Sequence, residues 1–291
     1  TGTSGGSNLP TWEMVKAYPM LDGKKPGDAT SKYTYSDQLF YKNRDPRFDK
    51  TIAYNGCTWP LNGNTSYRLW TYLVGTTSVE PSKPSATSFY CRKAISPTAS
   101  VSDALYIGTD WIEIRYAEVL LNLAEAACGL NNLTEGYTQL KALRMRAGIE
   151  AGTDGNYGLK AGMSRAEMFD AILYERQIEF AFEGKRFWDL RRHNKLGSVL
   201  NTLKRRTGLA ITFKPTASMT AAMFVTSRDG LNLDNVYTTY FTIATKQVDT
   251  KYDLNWMDQK YAFFGIPQSA IDNNPKLLQN NTWGGAFDPL Q

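Results

Sequence analysis

The chain is predicted to be mainly α-helical, with tetratricopeptide-like helical hairpins set among extensive irregular loops and a few short β-strands. Three observations predict this. Residues 111–193 carry apolar side chains at helical spacing, with clear stop signals between segments. Within them, Tyr174 to Arg192 (YERQIEFAFEGKRFWDLRR) interleaves carboxylates and guanidiniums with Ile178, Phe180, Phe182, Phe187 and Trp188, too finely for a solvated face. Buried charges persist only when paired and hydrogen-bonded, so this segment implies a fixed ion network between helices. The flanking regions, 8–110 and 194–291, are loop-rich and irregular.

The first region holds one short helix near Tyr35–Tyr41 and strand-like runs at Phe48–Tyr54 and Tyr67–Val74. Pro81, Pro84 and Pro97 break up the stretch after Val74. The first long helix has Ile112, Tyr116, Val119, Leu123 and Ala127 as its apolar stripe, widened by Leu120 and Ala124; Gly129 and Asn131-Asn132 end it. Its small Ala117, Ala124 and Ala127 permit close approach of a neighbouring helix. Thr134 starts the second helix, with Tyr137, Leu140 and Leu143 inward and Gly148 as its stop. Ser164-Arg165-Ala166-Glu167 is a capping box opening the third, whose buried side begins at Met168, Ile172 and Leu173. Gly184 breaks it, leaving Arg186–His193 as a separate turn or short helix. Beyond Gly197, Leu209–Phe213 alternates weakly, and Val236–Ala244 (VYTTYFTIA) is the strongest strand signal. The tail has turn chemistry at Gly265, Pro267, Asn273-Asn274-Pro275 and Gly284-Gly285.

Composition narrows the function classes. The net charge of +5 comes from 33 Lys and Arg against 28 Asp and Glu, too mild for a nucleic-acid module, and no recognition motif surrounds the basic run from Arg191 to Arg206. No window approaches a transmembrane helix. Cys128 reads as a small core hydrophobe, whereas the spacing of Cys57 and Cys91 leaves open whether they pair. His193 is the single histidine, and with these cysteines it makes no zinc site. No cofactor is expected.

Two constellations carry chemistry. Glu175, Glu179 and Glu183 fall at i, i+4 and i+8, on one side of a helix. Paired carboxylates run glycoside hydrolysis, but a general acid needs an apolar site that raises its pKa, and the surrounding Arg residues lower it. The favoured reading is therefore a structural network of Arg44, Asp45, Arg115, Glu118, Glu175, Arg176, Glu179, Glu183, Arg186 and Asp189, with hydrolysis as the alternative. The second constellation lies in two loops, Tyr54–Trp59 and Asn62–Trp70, which alternate flat rings with hydrogen-bonding side chains. Sugar rings have apolar faces that lie on Trp or Tyr and hydroxyl edges that pair with Asn or Arg. Tyr54, Trp59, Asn62, Tyr67, Arg68 and Trp70 are the candidate ligand-binding residues.

Five blocks in order give the chain a family resemblance. Pro10–Leu21-Asp22-Gly23, Asn43-Arg44-Asp45-Pro46-Arg47-Phe48, Arg144-Met145-Arg146-Ala147-Gly148, the Glu- and Arg-rich helix with FWDLRR, and Ile266-Pro267 with Asn274–Asn280 resemble the C-terminal part of the SusD/RagB family of outer-membrane nutrient-binding lipoproteins. That resemblance implies a non-catalytic, lipid-anchored protein on the outer face of a Bacteroidetes-type outer membrane. It implies capture of an oligosaccharide or polysaccharide, in some relatives a peptide, for a SusC-like TonB-dependent transporter. A scaffold that binds only a protein partner is the other alternative. Thr1–Ser7 (TGTSGGS) reads as a linker with no lipoprotein signal, so the chain is expected to be the C-terminal part of a longer protein whose N-terminal portion is a further partner.

Overall fold

The computed structural model describes residues 8–80, 83–100, 102–103, 106–108, 110, 112–249, 251 and 253–290. The linker expected at Thr1–Ser7 and the break expected at Pro81 lie outside them. The chain divides into unit 1, Thr1–Arg186 with Arg206–Val248, and unit 2, Phe187–Arg205 with Asp249–Gln291.

Unit 1 opens with α1 (Trp12–Ala17), capped by the Thr11 hydroxyl, and α2 (Pro46–Thr51), capped by Asp45 with Pro46 at its first position. The run expected as a strand from Phe48 to Tyr54 is therefore helix through Thr51, and only β1 (Ile52–Ala53) is extended. A cap followed by proline outweighs β propensity there. The helix expected at Tyr35–Tyr41 is a set of turns, the segment being too short to propagate a helix. Of the run expected from Tyr67 to Val74, β2 (Leu73–Val74) is strand and Arg68 makes an isolated bridge with Thr58; β2 hairpins with β3 (Thr77–Ser78), and β4 (Tyr90–Cys91) pairs antiparallel with β1.

Three helices then pack together: α3 (Tyr116–Gly129), α4 (Leu133–Ala147) and α5 (Arg165–Glu179). The C-cap of α4 is Gly148 at φ +84°, the left-handed conformation that makes glycine the expected stop. The capping box at Ser164 and Glu167 is formed. Leu140, Leu143, Met168, Ile172 and Leu173 are buried as expected. The apolar stripe of α3 is only partly the one expected: Ala124 and Ala127 are buried, and with Ala117 they form the small-residue face. Ile112, Tyr116, Val119 and Leu123 are exposed, and Ala117, Leu121, Ala124, Ala127 and Cys128 face the core. The helix carries two apolar stripes, and the one rich in small residues admits α4 and α5 closely. Close approach recurs at buried Gly136 of α4, where an added Cβ would lie 3.0 Å from Met168 Sδ. The third helix ends at Glu179, short of Gly184, and the chain turns through Phe182 at φ +64°.

After Arg186 the chain enters unit 2 with α6 (Arg186–Arg192) and α7 (Leu196–Leu203). It returns to unit 1 as β5 (Thr207–Phe213), α8 (Ala221–Ser227), α9 (Leu233–Tyr240) and β6 (Phe241–Gln247). The strand signal at Val236–Ala244 is half helix. Asn232 caps α9, accepting from Asn235 N at 3.1 Å, and extended backbone starts only at Phe241. The sheet order is β3-β2-β5-β6, with β5 and β6 antiparallel from Thr207↔Gln247 to Phe213↔Phe241. An aromatic core joins sheet and helices around Trp12, Phe40, Tyr72, Phe89, Phe224 and Tyr237. Unit 2 is completed by α10 (Asp258–Tyr261) and α11 (Gln268–Asn273). All three cysteines are free thiols. Among the described residues no helix is long and apolar enough to cross a membrane.

Candidate functional site

The ion network forms in unit 1. Glu175 and Glu179, one turn apart on α5, are both buried. Glu175 is held by Arg144 of α4 at 2.7 Å and Arg47 of α2 at 2.8 Å. Glu179 takes Arg47 at 2.8 Å, Arg115 at 2.5 Å and Arg146 at 2.6 Å. Glu183, beyond the helix end, pairs with Arg115 at 2.8 Å and with Lys93. Arg176 faces Glu118 at 3.6 Å and donates to Asn122 at 2.9 Å. Arg47 also closes on Asp45 at 2.7 Å. The remaining expected members have further partners. Arg44 donates to the carbonyls of Val15 and Tyr18 rather than to a carboxylate. Arg186 donates to the Leu173 carbonyl, and Asp189 belongs to unit 2, paired with Arg192 at 2.9 Å. Sequence reasoning missed Arg47, Arg144 and Arg146, though all three stand in the blocks it singled out.

A cavity of about 730 Å³ opens beside Glu179 and Glu183, lined also by Lys50, Lys93, Arg115 and Ile178. A cavity next to carboxylates is what a glycosidase needs, so their protonation decides. Burial pushes the Glu179 carboxyl up, but Arg115 and Arg47 outweigh it and bring it down to about 2. Glu175 and Glu183 are likewise raised by burial and then lowered below the ordinary value by their cationic partners. A carboxylate held ionised cannot protonate a leaving group near neutral pH. Their ion pairs tie α5 to α2, to α4 and to Arg115 at the start of α3.

The two candidate ligand loops do not present the expected platform. Tyr54, Trp59 and Trp70 are only 7%, 9% and 7% exposed and belong to the aromatic core. Trp70 donates its indole N–H to Asp229 at 2.7 Å, and its ring makes an edge contact with Phe224. A ring packed on its neighbours has no face for a sugar. Arg68 spends its guanidinium on the carbonyls of Gly56, Arg228, Asp229 and Leu231. Asn62 is exposed, and half-buried Tyr67 borders a smaller hollow of about 280 Å³.

Exposed rings gather in unit 2 instead. Trp188 of α6, Trp256 and Tyr261 line a cavity of about 490 Å³ together with Arg191, Arg192, Asn194 and Asp258. Trp256 and Tyr261 lie 5.1 Å apart at 45°, and Phe187 meets both Trp188 at 5.1 Å and Trp256 at 6.5 Å. Arg191 stacks over Phe264 at 4.4 Å. The sequence signal for this hollow is the density of rings in FWDLRR and in Trp256–Phe264. Neither segment alternates rings with amides, so the pattern that singles out the loops passes over both.

Comparison with known proteins agrees with the fold. A sequence model of the family described as the SusD family matches residues 1–283. SusD-like protein P2 of Formosa agariphila is 39% identical over 94 residues, 31% of this chain and 18% of that protein. SusD-like protein P38 of the same organism is 33% identical over 117 residues, 40% of this chain and 22% of that protein. Among solved structures, a SusD-like protein of Bacteroides fragilis NCTC 9343 superposes on 94% of this chain and 46% of its own, at 22% identity and a TM-score of 0.64. A second from that organism, described as a SusD-like carbohydrate binding protein, covers 91% of this chain and 47% of its own, at 25% identity and a TM-score of 0.61. The chain thus spans about half the length of these solved relatives.

Proposed function

The chain belongs to the SusD family, and from that premise we propose that it serves capture of an oligosaccharide or polysaccharide at the outer face of a Bacteroidetes-type outer membrane. The captured glycan is handed to a SusC-like TonB-dependent transporter. As the resemblance implies, a lipid anchor holds the protein there, and it performs no chemistry on its ligand. The observation that carries this reading is the match over 91% of the chain to a SusD-like protein described as carbohydrate binding. The guanidinium-held carboxylates beside the 730 Å³ cavity weigh against glycoside hydrolysis.

Affinity electrophoresis through gels containing a panel of soluble polysaccharides tests the reading. At least one polysaccharide should retard the chain, and the bound polymer should emerge with its reducing-end content unchanged. No retardation by any member, with binding to a peptide library instead, moves the ligand to peptides; release of reducing ends restores the hydrolase. Co-purification with a TonB-dependent transporter from the native membrane tests the partner.

A further inference from the structure

We propose that the aromatic hollow of unit 2 is a binding site for a neutral pyranose, a placement that rests on the glycan reading above. The groups around it are incompletely used by the protein. In unit 1 three ring tips are satisfied by the protein, Trp70 donating to Asp229, Tyr237 to the Asn55 carbonyl and Tyr41 to Asp234, whereas the buried hydroxyls of Tyr18 and Tyr35 have no hydrogen-bond partner among the described residues. Around the unit 2 hollow, the indole N–H groups of Trp188 and Trp256, the Tyr261 hydroxyl, the Asn194 amide and the Asp258 carboxylate make no side-chain hydrogen bond or ion pair among the described residues. Trp188 is 55% exposed, and Asn194 lies at the turn between α6 and α7 at φ +52°, a left-handed setting that asparagine tolerates.

Flat rings with unused donors and acceptors at their margins fit one kind of ligand. The C–H groups on a pyranose face carry partial positive charge and lie on the electron-rich face of an indole or phenol. Its equatorial hydroxyls both donate and accept, which an amide, a carboxylate and indole N–H groups can match in the ring plane. A purely apolar ligand would leave Asn194 and Asp258 buried without partners, a loss rather than a gain. The engagement of the guanidinium forks, rather than the net charge, disfavours acidic sugars. Arg191 turns both terminal nitrogens onto the carbonyls of Tyr261 and Ala262, and Arg192 is tied to Asp189 at 2.9 Å, while Asp258 pairs with no cation among the described residues. Neither guanidinium lining the hollow keeps its fork for a carboxylate or sulfate. The volume of about 490 Å³ falls within the range of small-molecule sites. Gly197 of α7 keeps the site's shape: a Cβ there would lie 2.7 Å from both Asp258 carboxylate oxygens.

The test uses the whole chain in affinity gels of amylopectin, laminarin, galactomannan and xyloglucan, with alginate and polygalacturonate as acidic counterparts. Wild type should be retarded by a neutral polymer. Asn194→Ala and Trp256→Ala should weaken that binding about tenfold, the scale of one lost aromatic contact, while Leu123→Ala, on the exposed side of α3 in unit 1, binds as wild type. Because Trp256→Ala removes packing, 5-fluorotryptophan labelling gives a second readout: the fluorine signals of Trp188 and Trp256, assigned by single Trp→Phe replacements, should shift on adding a fragment of the bound polymer. Retained binding in both variants with unmoved signals overturns the site and leaves the glycan reading standing. Retardation by the acidic polymers alone overturns the neutral class. Failure of wild type to bind any polymer removes the glycan reading and this site with it.

Discussion

At the scale of single residues, the chain separates charges that hold the fold from rings that meet solvent. Glu179 is buried against three guanidiniums from three segments: Arg47, Arg115 and Arg146. Its replacement strands those cations, and breaking a buried pair costs roughly 3–5 kcal/mol. Glu179→Ala should therefore lower the unfolding free energy by about that amount in a urea melt; a wild-type midpoint would refute the lock. Trp70 makes the complementary case. Truncating a buried Trp costs about 3–5 kcal/mol, so Trp70→Ala should melt well below wild type, where a mere binding platform would leave stability intact. The burial of Glu175 and Glu179 in a network is legible in the sequence, because charge so finely mixed with Phe and Ile has nowhere else to go. Their cationic partners are not. Arg47, Arg144 and Arg146 lie 31 to 132 residues from the carboxylates they bind, and only the tertiary fold brings them together.

At the scale of elements, local chemistry is a reliable guide to where helices begin and end and a poor one to which face is buried. Ser164 with Glu167 cap through their side chains and Gly148 through its left-handed backbone, since capping is settled within four residues. The segment Val236–Tyr240 goes the other way because Asn232 initiates a helix whose Tyr237 is then buried against the aromatic core. Periodicity misreads the face of α3 because two stripes compete and alanine contributes little to the hydrophobic pattern. Leu121 and Leu123 test the corrected face. Leu121 is fully buried, so Leu121→Ala should cost about 2–5 kcal/mol. Leu123 is largely exposed, so Leu123→Ala should stay within roughly 0.5 kcal/mol of wild type. Equal effects in thermal melts would restore the original stripe.

At the scale of the whole molecule, the family is legible from five ordered blocks, whereas the division into units is not: β5 and β6 return to unit 1 after α6 and α7 leave it. The rings that the sequence places in a ligand loop become core because that loop lies under α8 and α9, whose Phe224 and Tyr237 close over it. The same fold fixes how stability responds to acid. Folding lowers the pKa of Glu175, Glu179 and Glu183, where cationic partners outweigh burial, and also lowers those of Asp28, Glu150, Asp154, Glu167 and Asp234. Burial raises Asp49 and Glu80. The lowered groups dominate in number and include the fully buried Glu175. In the unfolded chain the Glu carboxyls bind protons near their ordinary value of 4.5, so across the acid range the unfolded state holds more protons and stability rises with pH. The contribution of Glu179 is complete above pH 4.5 and is lost as pH falls toward about 2. Its shift corresponds to roughly 3 kcal/mol. The melting temperature should therefore be nearly flat from about pH 6 to 8 and drop steeply below about 4.5. Glu179→Gln, which keeps the shape but cannot titrate, should be less stable at neutral pH and converge on wild type toward pH 2. Parallel melting curves for the two proteins across that range would show that Glu179 is not part of the acid response.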